Sequence, residues 1–228
     1  MTTENSKEES FLYGESRFDR DKEYWNNYYA TIEEKLNTPS QFAGFVSNYL
    51  VSGKHLLELG CGNGRDSFHF LELGLNVTGI DASNYIIDKL NCIALHIDNA
   101  SFVCGDFVKY IPAFEEKYDY VYSRFTMHAI SGFQETELLN NIRTYLIREG
   151  LFLVEARPVH DELFGKGKQI NKNAYIFNGH YRRFIDAVEF RTKLEKIGFE
   201  IIFFEERTGF SKTNDSDPIL LRCVARLK

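Results

Sequence analysis

The chain has 228 residues, 43% of them hydrophobic and 15% aromatic, enough for one substantial core. Its 27 Lys and Arg against 33 Asp and Glu leave a formal charge of −6. That mild acidity argues against non-specific nucleic-acid binding, which needs a basic surface to neutralise phosphates.

The opening MTTENSKEES is polar, has no apolar h-region, and is expected to be loosely attached. No apolar run reaches the length of a membrane span, so a cytoplasmic protein is expected. Residues 20–36 and 40–50 carry apolar side chains at helical spacing. Strands and helices then alternate. Strands are expected at 55–59, 76–81, 100–106, 118–125 and 150–158, and helices at 65–74, 83–95 and 133–147. Ser83 is a good N-cap. Residues 159–186 read as a long polar stretch, followed by a helix at 187–198 and strands at 200–207 and 218–227. The last two strands are joined by a loop without a helix and should pair antiparallel. The fold class is therefore α/β: a Rossmann-like, doubly wound sheet of seven mostly parallel strands, the last antiparallel, with helices on both faces. Residues 1–44 are expected to form a helical arm, residues 45–228 the main domain, with an insertion around 158–185. The cysteines, Cys61, Cys92, Cys104 and Cys223, form no CxxC pair and lie mostly in apolar runs. Buried free thiols are expected, with neither disulfides nor a metal site.

The chemistry begins where the first strand ends. Gly60, Gly62 and Gly64 alternate with Cys61 and Asn63, and a helix starts at Arg65. Bare backbone at that turn accepts unusual dihedrals and lets a ligand lie against the main chain. Free N–H groups at the start of the helix suit an anionic group. Asp81 closes the second strand, at roughly the spacing where a carboxylate takes ribose hydroxyls. The pattern is E-x-G-x-G-x-G from Glu58, and not the GxGxxG of pyrophosphate-binding turns.

This sequence resembles the first motif of class I S-adenosylmethionine-dependent methyltransferases, and the resemblance spans residues 45–228. It implies S-adenosyl-L-methionine as cofactor and S-adenosyl-L-homocysteine as product. The glycine loop, with Glu58, Cys61 and Arg65, would carry the methionine half. Asp81 and Ala82 would carry the ribose. Asp106 and Phe107, after the third strand, would meet the adenine, and Ser123 ends the fourth strand beside it. The aromatic helix EYWNNYY resembles the lid helix of small-molecule members, with Tyr24, Trp25, Tyr28 and Tyr29 able to fold over the cofactor or simply to fill a core. A nicotinamide oxidoreductase is disfavoured by the glycine spacing. A cofactor-binding module without turnover is disfavoured by the polar rim.

Methyl transfer is an in-line displacement for which positioning and water exclusion supply much of the rate, so the fold fixes the donor and leaves the acceptor open. Acceptor residues are expected at the ends of the fourth and fifth strands: Arg124, His128, Arg157 and His160. The insertion adds His180, Tyr181, Arg182 and Arg183, whose guanidinium forks match phosphate or carboxylate oxygens. His128 is the expected base or orienting group. No Asn/Asp-Pro-Pro-aromatic sequence follows the fourth strand, which counts against nucleic-acid bases as acceptors. The set SRFTMHAI, EARP and HYRRF resembles methyltransferases of bacterial capsule and surface-polysaccharide functions and, more loosely, the tellurite-resistance type. That likeness implies a small anionic, sugar- or nucleotide-linked acceptor, bearing phosphate or phosphoramidate, methylated on oxygen before nitrogen. Oligomeric state is left open.

Overall fold

The computed structural model describes residues 15–31, 38–113, 117–213 and 215–228. The expected looseness of the first dozen residues lies outside these, as does the second part of the helix read at 20–36. The described part of that helix is α1 (Glu15–Thr31). There follow α2 (Gln41–Val46), β1 (His55–Leu59), α3 (Arg65–Glu72), β2 (Asn76–Asp81), α4 (Asn84–Ile93) and β3 (Ala100–Cys104). Then come β4 (Tyr118–Arg124), α5 (Gly132–Tyr145) and β5 (Leu146–Ala156). The chain closes with α6 (Ala187–Lys196), β9 (Phe199–Arg207) and β10 (Leu220–Leu227).

These strands build one seven-stranded sheet in the order β3-β2-β1-β4-β5-β10-β9, with β10 antiparallel to both neighbours. This is the expected architecture. Successive residues of a strand face opposite sides of a sheet, and the central strands are apolar on both. Leu57, Val121 and Phe152 pack with Leu138 and Ile142 of α5 and Phe190 of α6. Leu56, Tyr122 and Leu153 pack on the other face with Phe42 and Val46 of α2 and Phe70 of α3. Phe42 and Ala43, read above as part of the arm, are fully buried in this second layer. The N-caps follow the sequence. Ser83 accepts from Ile86 N at 3.3 Å, and Ser131 forms a reciprocal capping box with Gln134.

The stretch read as long and polar folds into strands. β6 (Lys168–Asn171), β7 (Ala174–Phe177) and β8 (His180–Arg183) form a separate antiparallel sheet. Asn178 and Gly179 link β7 to β8 with φ of 52° and 74°, the two positive values a tight hairpin turn needs. The small sheet is zipped to the end of β5: Ile185 N donates to Arg157 O at 2.9 Å, and Val159 N to Ile185 O at 3.0 Å. It is also bolted to the loop after β4. Arg183 Nε donates to Ile130 O at 2.9 Å, and its Nη2 meets Glu135 Oε2 at 2.5 Å. Lys193 takes the other Glu135 oxygen at 2.6 Å. All four cysteines are free, but only Cys61 and Cys223 are buried. Cys92 and Cys104 are exposed, because one lies on the outer face of α4 and the other at the tip of the edge strand β3.

Glu135 is 1% exposed and pairs with both cations. Glu135→Ala would leave the Arg183 guanidinium buried without its counter-ion. A loss of about 3–5 kcal/mol is expected in urea unfolding, and an effect below about 1 kcal/mol would show that this pair does not hold the small sheet in place.

Candidate active site

The ends of β1, β2 and β4 and the inner side of α1 border a partly open cavity of about 360 Å³. It is lined by Trp25, Tyr28 and Tyr29 from α1, by Glu58, Gly60, Cys61, Gly62, Asn63, Arg65 and Asp66 from the first turn, by Asp81 and Ala82 after β2, and by Phe107. Arg124, Phe125, Thr126 and Ala129 close the side below β4.

The glycines are demanded by this geometry. Gly60 and Gly62 have φ of 68° and 54°. A Cβ on Gly60 would lie 2.3 Å from Thr126 Cγ2, and one on Gly62 2.6 Å from Tyr29 Oη. Gly64, the N-cap of α3 with φ 80°, faces Leu90 and Phe68 and does not line the cavity. Asp81 is 7% exposed. Its Oδ2 accepts from Gly62 N at 3.0 Å and its Oδ1 from Ser83 N at 2.9 Å. Burial pushes its pKa up, and those amides pull it back. A carboxylate offers about four acceptor positions, so capacity remains for a further donor.

Glu58 and Asp66 form the acidic floor. Ser67 Oγ donates to Glu58, whose pKa is pushed well above the usual carboxylate range by burial and then by Asp66. Asp66 accepts from Ser40 N at 2.7 Å, Ser40 Oγ at 2.8 Å and Tyr122 Oη at 2.8 Å. One helix-start N–H is already taken, because Arg65 N donates to Asn63 Oδ1 at 3.2 Å.

α1 is held over the cavity at both flanks. Asn26 Oδ1 accepts from Ser83 Oγ at 2.6 Å and from Tyr85 N at 3.3 Å, at the start of α4. Tyr24 stacks on His180 of β8 with ring centroids 4.8 Å apart, and Trp25 meets the same imidazole edge-on at 5.5 Å.

Several residues sit elsewhere than expected. Asp106 is outside the lining; its Oδ1 accepts from Val108 N at 2.9 Å and shapes its own turn. Ser123 is fully buried against Thr126 Oγ1 at 2.5 Å and does not line the cavity. Arg124, read as an acceptor residue, lines the cavity with the glycine loop and is held by Glu155 Oε1 at 3.0 Å. Arg182 and Arg183 cannot grip one anion together. Adjacent strand residues point to opposite faces, and Arg183 is occupied by Glu135, Ile130 O and Met127 O. Tyr181 is buried against Ala174 of the small sheet. His160 is an exposed partner of Glu206, at 2.5 Å.

His128, Arg157, His180 and Arg182 do come together beside the cavity. Phe125, at φ 58°, carries Arg124 over its ring at 4.3 Å and Arg157 at 5.3 Å, and His128 lies 5.8 Å from it. A bulky residue in the left-handed region costs on the order of 1–3 kcal/mol and has to be held by its surroundings. His128 is buried, and among the described residues its Nδ1 has no hydrogen-bond partner. Burial, followed by Arg157, Arg182, His180 and Arg183, holds its pKa well below the ordinary imidazole value. Sequence reasoning missed Asn63, Asp66, Phe125, Thr126 and Ala129. Of these, Asn63 and Asp66 flank the glycines and were open to inclusion; nothing local marks Phe125.

Residues 50–198 match the family profile described as a methyltransferase domain. The chain belongs to this methyltransferase family. Among solved structures, it is similar to an S-adenosylmethionine-dependent methyltransferase from Methanosarcina mazei, at 16% identity over 80% of this chain and 96% of that one, with a TM-score of 0.69. The CcbJ methyltransferase of Streptomyces caelestis shares 20% identity over 89% of this chain and 95% of that one, at 0.66. The 1,6-didemethyltoxoflavin-N1-methyltransferase of Burkholderia thailandensis, solved with S-adenosylhomocysteine and its substrate, shares 16% over 93% and 86%, also at 0.66. No curated protein sequence matches the chain. Among the described residues, no helix of this methyltransferase is long and apolar enough to cross a membrane.

The buried imidazole gives a pH signature. With its folded pKa depressed, the unfolded state binds the extra proton first, so stability falls as pH drops below about 6.5. The raised carboxyls contribute the opposite slope, so His128 is isolated by difference. Between about pH 6.5 and 5, wild type should lose up to about 1.4 kcal/mol per pH unit more than His128→Gln. Parallel curves in urea unfolding would show that His128 is not held neutral.

Proposed function

We propose that this methyltransferase moves a methyl group from S-adenosylmethionine to an oxygen of a small anionic acceptor. The observation that carries the reading is the cradle itself: a loop with no room for a Cβ at Gly60 or Gly62, tied by its amide to the buried Asp81, facing a partly open cleft. A volume of about 360 Å³ lies within the range of small-molecule sites. The residues present fit the cofactor. Asp81 retains acceptor capacity for ribose hydroxyls, Phe107 offers a flat apolar face for the adenine, and Glu58 with Arg65 and Arg124 offers polar groups for an amino-acid end.

S-adenosylmethionine, when bound, supplies a methyl group activated by its sulfonium. The chain's own residues bind, orient and exclude water. Trp25, Tyr28 and Tyr29 form a wall that keeps solvent from the glycine loop. Phe125 and Thr126, after β4, separate the cofactor side from the basic cluster. His128 is neutral near pH 7, so it is in the form that accepts a proton. The anionic character of the acceptor is supported by Arg157 and Arg182. Its oxygen nucleophile and its sugar or nucleotide linkage in surface-polysaccharide synthesis rest on the motif resemblance.

Asp81→Ala should weaken S-adenosylhomocysteine binding about tenfold to a hundredfold in calorimetry, the scale of a lost charge-assisted contact. Unchanged affinity in a folded variant would remove Asp81 from the cofactor site. Release of S-adenosylhomocysteine on incubation with phosphorylated sugars and nucleotides tests turnover.

A further inference from the structure

The basic cluster beside the cavity contains one charge too many. Arg157 Nη1 is paired with Asp161 Oδ2 at 2.6 Å, and the other oxygen of Asp161 accepts from Leu163 N at 2.8 Å. Asp161 is 3% exposed, and its charge also reaches Arg182. Arg182 is half-buried, and among the described residues it forms no ion pair; its Nε is buried without a hydrogen-bond partner. Burial, and then Arg157, pulls its pKa down, against an opposing pull from the Asp161 carboxylate. His128 adds a second buried, partnerless nitrogen, Nδ1. Two such atoms on residues that feel each other's charge are uncommon, because buried polar groups are nearly always satisfied.

The topology explains why they meet. The zipper between Arg157 and Ile185 sets the end of β5 beside the end of β8. Arg183 bolts β8 to the loop that carries His128. Strand alternation then turns His180 and Arg182 to the opposite face from Arg183, the face on which Tyr24 of α1 stacks. The result is a small cluster, roofed by α1: Arg183 faces away onto Glu135, His128 is neutral, and Arg157 and Arg182 with the single carboxylate of Asp161 sum to one positive charge, Asp161 making its direct contact with Arg157. At pH 8 an ordinary imidazole adds nothing to that sum.

We propose that this is the subsite for the acceptor's anionic group, that Arg182 meets that group beside Arg157 and His128 Nδ1 with the cluster's one net positive charge, and that the group it takes is a monoanion with two equivalent oxygens, a carboxylate or a phosphodiester. A guanidinium fork matches either group in a bidentate fashion. A phosphate dianion would leave one negative charge buried without a partner, which is costly. The inference rests on the methyl-transfer reading for its place in the reaction, but the site stands or falls on its own binding test.

The test titrates the full chain at pH 8, with and without S-adenosylhomocysteine, using acetate, dimethyl phosphate and methyl phosphate as probes. The ¹⁵N shifts of the His128 ring are the readout. Acetate or dimethyl phosphate should saturate and move Nδ1, and whichever does so names the group. Arg182→Ala should weaken that binding at least tenfold and Arg182→Lys less, while S-adenosylhomocysteine affinity measured by calorimetry stays within about twofold. The proposal is overturned if no monoanion saturates, if methyl phosphate binds more tightly than both, or if Arg182→Ala lowers anion and cofactor affinity together. Anion binding by a protein that does not bind S-adenosylhomocysteine would sustain this subsite and overturn the methyl-transfer reading instead.

Discussion

The hydrogen bond from Gly62 N to Asp81 Oδ2, 3.0 Å long, fixes the site. It ties the loop after β1 to the end of β2, and through Ser83 N the same carboxylate sets the start of α4. The loop can come that close only because it is bare, with positive φ at Gly60 and Gly62. Bareness also lets Tyr29 lie against it, so the aromatic arm and the glycine loop share one surface. Asn26 then binds the same Ser83 whose amide Asp81 holds. One buried carboxylate thus organises the loop, the helix after it and the arm above.

Buried charge does similar work elsewhere, always with partners. Glu155 is fully buried between Arg124 and Arg222. Arg222 in turn lies over the rings of Phe42, Phe45 and Phe210 and donates to Phe210 O at 2.5 Å. Asp66 joins Ser40, ahead of α2, to Tyr122 of the central strand β4. Glu135 holds Arg183 and Lys193. Such pairs contribute little net stability but are expensive to break singly. Their effect here is register: they fix which elements meet beside the cavity. Arg182 stands out against this background as the guanidinium in the cluster without a carboxylate of its own.

The main sheet was legible because its signals are local. Five-residue apolar runs ended by glycine or aspartate, serine caps and a glycine loop each constrain their own neighbourhood. The small sheet was not, because β6 to β8 are four residues each, β6 and β8 are largely polar, and their own apolar cluster is only Ala174, Tyr181 and Ile170. Asn178-Gly179 was the available signal, since that pair favours a tight hairpin; reading it would have turned HYRRF into a strand and separated Arg182 from Arg183. The partners of Arg183 and Arg124 were out of reach, because Glu135 and Glu155 are 48 and 31 residues away along the chain. Asp106 shows the converse: a strand-end acidic residue matched a motif, yet its carboxylate is turned to Val108 N.

Trp25 is the single tryptophan of the chain, and it lines the cavity while stacking near Tyr29 at 5.9 Å. Its emission therefore reports from the wall that the aromatic arm and the glycine loop share. The central claim is that this wall borders the S-adenosylmethionine site. Titration with S-adenosylhomocysteine should change Trp25 fluorescence saturably, with one-site stoichiometry and the same dissociation constant that calorimetry gives. Binding seen by calorimetry with Trp25 emission unmoved, or no binding at all, would contradict the account.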